Sequence, residues 1–300
     1  MDNLTHSLVG ALLGQTGLKQ KTGLAMPALV IGANLPDVDA ACFFWLEGTE
    51  HLGFRRGITH GPPAWVILPL ILAALLWGFD RWQTRRGKRP DERLPVDFKW
   101  LYLLGFIGCI SHPALDWLNV YGIRLLEPFS SQWFYGDTLF IIDVWLWAFL
   151  SLSLWWSLRL EKSGGKWQKA GWISLFLTVA YIGGNWAITT YQELTAARKP
   201  AIASPIPINS WEREMIEPQI PGRWLIDGEA VGECKIDGVP AAARGNSQAE
   251  AFLFWSRALF ATRAEDGSVI LHDARFYDPR ARGRFSVELP NLPCEELSTP

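Results

Sequence analysis

Hydrophobic positions in the first 190 residues run in long blocks, whereas beyond residue 191 they alternate with charged and turn-forming residues over short stretches. Residues 62–79 carry no charge and are rich in Leu, Ile, Ala and Trp. That length approaches the roughly 20 residues a helix needs to cross the hydrocarbon core. Residues 100–120, 139–158 and 170–191 predict three further spans, each with Trp or Tyr near an end as an interfacial anchor. Stretches 4–18 and 22–46 are apolar but interrupted by Gly and Pro. They predict short, tilted or re-entrant helices, and irregular backbone at that depth needs cover from protein or water. The first segment lacks a basic leader and carries His6, so no cleaved signal peptide is predicted.

Orientation follows from the basic residues. Residues 81–99 contain Arg81, Arg85, Arg86, Lys88, Arg89, Arg93 and Lys99, and residues 159–169 contain Arg159, Lys162, Lys166 and Lys169. Both loops are predicted to be cytoplasmic, together with Lys19 and Lys21. The loops near 37–60 and 121–137, and the tail beyond 191, then fall on the opposite face.

The tail has a different texture. A Pro-bearing linker at 199–207 precedes alternating stretches at 223–227, 231–236, 268–277 and 284–289, with Asp227-Gly228, Asp237-Gly238 and Asp266-Gly267 as turn signals. One helix is predicted near 247–260. The expected fold is mainly α: a polytopic transmembrane helical domain (1–192), a linker (193–207) and a small α+β or mostly β soluble domain (208–300) outside the cytoplasm. The tail has no catalytic cluster, which suits a covering, substrate-selecting or partner-binding role.

Composition sharpens this picture. The chain is 49% hydrophobic with 17 Trp, and its formal net charge is only -2. No direct nucleic-acid binding is expected from that balance, and a lipid bilayer is the expected partner. Four cysteines form no CxxC pair, which argues against a thiolate zinc site. Cys42 and Cys109 read as small buried residues, whereas Cys234 and Cys294 can pair in an extracytoplasmic tail.

Within or beside the apolar blocks lie Thr5-His6-Ser7, Asn34-Leu35-Pro36-Asp37-Val38-Asp39, Thr59-His60-Gly61 and Ser111-His112-Pro113-Ala114-Leu115-Asp116. Ionisable groups there are costly unless they pair or bind an ion, so they mark a functional site by default. Imidazole with carboxylate is a familiar ligand set for a divalent metal. The threading places His6, Asp37, Asp39, His60, His112 and Asp116 at one depth near the outer face, with Asp143 at the same level as a further candidate ligand. His112 and Asp116, four apart, share a helix face. The alternatives for single residues are an interhelical His–Asp hydrogen bond, an Asp37 or Asp39 helix cap, and interfacial roles for His6 and His60. Arg55, Arg56 and Arg124 fall on the same face, where guanidiniums can hold a phosphate or contact lipid headgroups.

In order, HisSer near the start, AsnxProAspxAsp, ArgGlyxThrHisGly and SerHisProxxAspxxAsnxxGly resemble the membrane-bound metal-dependent hydrolases described as LexA-binding, inner-membrane-associated hydrolases. The resemblance spans roughly residues 1–160. At greater distance the His and Asp succession is similar to that of zinc-dependent phospholipases C, which implies an α-helical scaffold and phosphoester hydrolysis. Those soluble enzymes continue with a HisxxxGlu pair, whereas this chain has no His between His112 and His272. Asp137 or Asp143 would then complete a one- or two-metal site. The resulting expectation is a multi-pass inner-membrane hydrolase that uses zinc, or else manganese or magnesium, on a lipid or lipid-linked phosphoester. Asp37 or Asp39 would be the general base and the other a ligand. A transporter or channel binding metal or protons at the same cluster is an alternative from another class, as is a non-catalytic membrane scaffold.

Overall fold

The computed structural model describes residues 1–277 and 285–297. It divides into two compact units. The first comprises Met1–Val38, Arg56–Trp186 and Pro207–Ser210; the second comprises Asp39–Arg55, Ala187–Ile206 and Trp211–Pro300.

The helices begin where local chemistry satisfies their free amide groups. Asp2 caps α1 (Asn3–Gln15) by accepting from the Leu4 and Thr5 amides at 2.9 and 3.1 Å. Asp97 caps α5 (Phe98–Trp117), and Asp143 caps α6 (Val144–Lys162). Between them lie α2 (Ala25–Gly32), the short α3 (Glu50–Phe54) and α4 (Pro62–Arg85), which opens on two prolines suited to a first turn. The long α7 (Trp167–Thr195) follows, and the boundary between the units falls within it.

In the first unit, α2 is wedged closely against α5. A Cβ on Gly32 would meet the Gly105 carbonyl oxygen at 2.7 Å, so only glycine permits this approach. Leu12, Leu115, Leu139, Leu146 and Leu150 pack into one core, and Leu29, Ala73, Leu101 and Leu104 into another. Val66, Ile67, Leu70, Ile71 and Leu75 on α4 stay exposed, the expected state of side chains that face lipid.

Among the described residues, three helices are long and apolar enough to cross a membrane: α4, α5 and α7. The pair Ala25–Gly32 and Leu35–Phe44 qualifies together as a broken or re-entrant span, in keeping with the interruption expected there. The span predicted at 139–158 corresponds to α6, which is not among the helices long and apolar enough to cross. Asp143 halts the chain before α6 begins, and the helix ends among Arg159, Glu161 and Lys162.

Among the described residues the second unit holds two antiparallel sheets. One has the order β1 (Ile202–Pro205), β2 (Arg213–Ile220), β3 (Arg223–Ile226), β4 (Glu229–Val231). After the single turn α8 (Val239–Ala242) and α9 (Ser247–Trp255), the second sheet is β5 (Leu259–Arg263), β6 (Ser268–Asp273), β7 (Ser286–Pro293). Ile202, Ile216, Ala258, Phe260 and Ala274 form its core, and Cys234 is bonded to Cys294. The helix expected over 247–260 stops at Trp255, because the Asp273 carboxylate accepts from the Ser256 hydroxyl and the Arg257 and Ala258 amides. The chain leaves the helix and enters β5. Strands near 223–227 and 268–277 appear, the latter ending earlier at Asp273; Arg284, at the start of another expected strand, lies outside the described residues.

Candidate metal centre

The fragments singled out in the sequence converge through residues that are not themselves ligands. Asn34, at the turn after α2, donates to the Ser7 hydroxyl at 3.0 Å and to the Val30 carbonyl at 2.8 Å. That joins the first two fragments. Arg56 joins the other two: its Nη1 donates to Asn119 Oδ1 at 3.0 Å and to the Gly122 carbonyl at 3.2 Å, while its Nε lies 3.0 Å from Asp116 Oδ2. The guanidinium also lies over the Tyr121 ring at 4.6 Å. Arg56 takes a left-handed φ of 55°, an uncommon conformation for a long side chain.

Four side chains then face one point. His60 Nε2 and His112 Nε2 are 3.2 Å apart, and each is 3.5 Å from Asp116 Oδ2. Asp37 Oδ1 is 4.0 Å from His60 Nε2 and 3.8 Å from His112 Nε2. One ligand atom from each of the four lies within 4.8 Å of all the others. With metal–ligand bonds of about 2.1 Å, a tetrahedral zinc site has edges of about 3.4 Å, so this set is a slightly expanded tetrahedron.

The His112 tautomer agrees with that use. His112 Nδ1 lies 2.7 Å from the Ala33 carbonyl, which requires the proton on Nδ1 and leaves the Nε2 lone pair aimed at the cluster. His60 Nδ1 meets the Thr59 hydroxyl at 2.9 Å, a contact that holds the ring in place with either tautomer. His60, His112 and Asp116 are fully buried, while Asp37 is half-buried.

His6 lies just outside the four. It is sealed from solvent, its ring stacks on His112 at 3.7 Å and 14°, and its Nε2 is 3.4 Å from Asp116 Oδ1. His6 Nδ1 has no hydrogen-bond partner among the described residues, whereas Asp116 Oδ2 is met by the Arg56 guanidinium. Two imidazole nitrogens and two carboxylates brought this close in a mostly buried space fit a cation that draws them together. The Met1 amino group lies against Asp116 Oδ1.

Other expected site residues have different partners. Asp39 Oδ1 is 3.5 Å from Arg55 Nε, and Arg55 lies over Phe43. Arg124 is paired with Glu127 at 3.0 Å and lies over Trp133. Asp143 is a helix cap: it accepts from the Leu146 amide and the Tyr181 hydroxyl, each at 2.8 Å. It therefore serves α6 rather than the cluster. Arg56, expected as a phosphate ligand, is committed to Asp116, Asn119 and Gly122. The struts Asn34, Thr59, Asn119 and Tyr121 had no role assigned from sequence. For Asn119 a signal existed, since it stands three residues after Asp116 and three before Gly122.

The model of a family described as YdjM inner membrane protein matches residues 1–191. Over 141 residues the chain is 26% identical to "Uncharacterized protein YfhP" of Bacillus subtilis (strain 168), a stretch that covers 44% of this chain and 39% of that protein. No solved structure matches.

Proposed function

We propose, from the premise that this chain belongs to the YdjM inner membrane protein family, that Asp37, His60, His112 and Asp116 hold the divalent metal of a membrane-bound hydrolase. The substrate class is a phosphoester on a lipid or lipid-linked molecule. The observation that supports this most is the meeting of two imidazole nitrogens and two carboxylates, mostly buried, around one point. Two nitrogens and two oxygens suit zinc first, with manganese or magnesium as alternatives.

A divalent ion in this set supplies Lewis-acid activation of a water and of a phosphoryl oxygen. The chain's own residues do the rest. Ala33 and Thr59 orient the two imidazoles, and Arg56 holds Asp116 in register. Asp37 is the least buried of the four, and it is assigned as the carboxylate that takes the proton from water. Asp39, paired with Arg55, takes no part in this assignment.

The site and the second unit are assigned to the extracytoplasmic side. The basic loops support this, as does the Cys234–Cys294 bond, which persists in oxidising compartments. The test is elemental analysis of detergent-purified protein, with phosphate release from mixed phospholipid micelles measured with and without a chelator. One bound ion and chelator-sensitive release are expected. Protein without metal, or release that resists chelation, would overturn the reading; metal uptake into vesicles without hydrolysis would replace it with transport.

A further inference from the structure

The segment Asp39–Arg55 belongs to the second compact unit, and it ends that unit in a cluster of exposed aromatic side chains. Phe43, Phe44, Trp45 and Phe54 are 54%, 91%, 60% and 45% exposed, and Phe254 on α9 is 42% exposed. Several of them are linked by contacts. Trp45 and Phe54 meet edge to face at 6.2 Å, Arg55 lies over Phe43 at 5.4 Å, and Gly53 approaches the Phe254 ring.

The surface is rigidly mounted. Leu52 is completely buried, the Thr49 hydroxyl donates to the Gln248 carbonyl at 2.9 Å, and the Ser247 hydroxyl donates to Glu50. A Cβ on Gly53 would touch Ala251 at 3.1 Å, so α3 lies flush on α9. Such a patch of large rings exceeds what scattered surface residues require and marks a contact.

We infer that this aromatic tip is a membrane anchor of the second unit, seated in the lipid interface. Three observations select lipid as the occupant. The chain belongs to an inner-membrane family. Phe43 and Phe44 are the last residues of Leu35–Phe44, which qualifies as part of a broken membrane span. Phe, Trp and a stacked Arg are the residue types that favour the boundary between acyl chains and headgroups. The tip holds the second unit to the bilayer by its own contact, whether or not the helical unit binds metal.

Single cysteines at Phe44, Phe254 and the exposed Arg244 of the same unit, each spin-labelled in full-length protein in phospholipid nanodiscs, test this. Cys42 and Cys109 are fully buried, and the unsubstituted protein supplies the labelling blank. Labels at 44 and 254 should relax more with oxygen than with an aqueous nickel chelate, and the label at 244 should show the reverse. Nickel-dominated relaxation at 44 or 254 would place the tip in water and overturn the inference. Exclusion of both probes would overturn it in favour of a protein partner. Should Phe44→Cys fail to fold, Trp45→Cys carries the same readout, and a normal metal content in either variant separates this outcome from failure of the metal site.

Discussion

Asp116 in the helical unit and Asp273 in the C-terminal unit are both sealed from solvent, yet their surroundings differ in kind. Asp273 is saturated. Its oxygens accept from the Ser256 hydroxyl, the Arg257, Ala258 and Arg275 amides, and the Arg275 guanidinium at 2.7 to 3.2 Å. Arg275 is in turn stacked over Trp255 at 4.6 Å. Asp116 has Arg56 on Oδ2 at 3.0 Å, and otherwise faces three imidazoles at 3.4 to 3.5 Å rather than a closed set of short hydrogen bonds. Saturation by short hydrogen bonds marks a carboxylate that holds a fold together, and a carboxylate facing a group of imidazoles marks one arranged for a ligand.

The largest expected effects separate the two directly. Asp273→Ala leaves the Arg275 charge buried and unpaired, which costs about 3 to 5 kcal/mol. Hydrogen exchange of β5 and β6 should accelerate accordingly while metal content is unchanged. Asp116→Ala should do the opposite, with loss of bound metal on elemental analysis and near-normal exchange in β5 and β6. If both variants lose metal, or neither does, the contrast fails.

Next in size is the loosening of struts. Asn119→Ala removes an acceptor of Arg56 and of the Tyr121 amide without touching the four ligand candidates. Metal affinity, read by competition with a chelating dye, should fall by about 10- to 100-fold. Asp37→Asn should abolish chelator-sensitive turnover, whereas Asp39→Asn should leave metal content intact. Equal losses from both would return Asp39 to the site.

Acid distinguishes the regions more gently. The Arg275 guanidinium and the converging donors outweigh burial and hold the Asp273 carboxyl down at about 2, against an ordinary 3.8. A depressed pKa contributes stability that is fully present above about pH 4 and lost as pH falls through about 2. The difference is worth about 2 kcal/mol. β5 and β6 amides should lose protection over that window, and Asp273→Asn should flatten the dependence. Smallest is Asp143→Ala, which removes the α6 cap and should cost about 1 kcal/mol, read as fraying at Leu146, with metal retained.

The sequence alone determined the helical blocks, because burial in lipid demands uncharged runs of spanning length, and it located His112 and Asp116 on one face, because a helix repeats every 3.6 residues. The ordered motifs also drew His60 and Asp37 toward the same point. Only tertiary structure could divide the acids. Asp37 and Asp39 stand two residues apart, yet one faces His60 and His112 while the other faces Arg55, a difference of backbone direction that residue type does not encode. In the same way Asp143 turns to cap α6, and Ser256, Arg257 and Ala258 are drawn out of a helical pattern by a carboxylate some 16 residues further along. Segment 39–55 joins the C-terminal unit because Thr49 and Gly53 meet Gln248 and Ala251 there. Periodicity reports which face of an element is apolar; which partner satisfies a given polar atom is settled by distance in the folded chain.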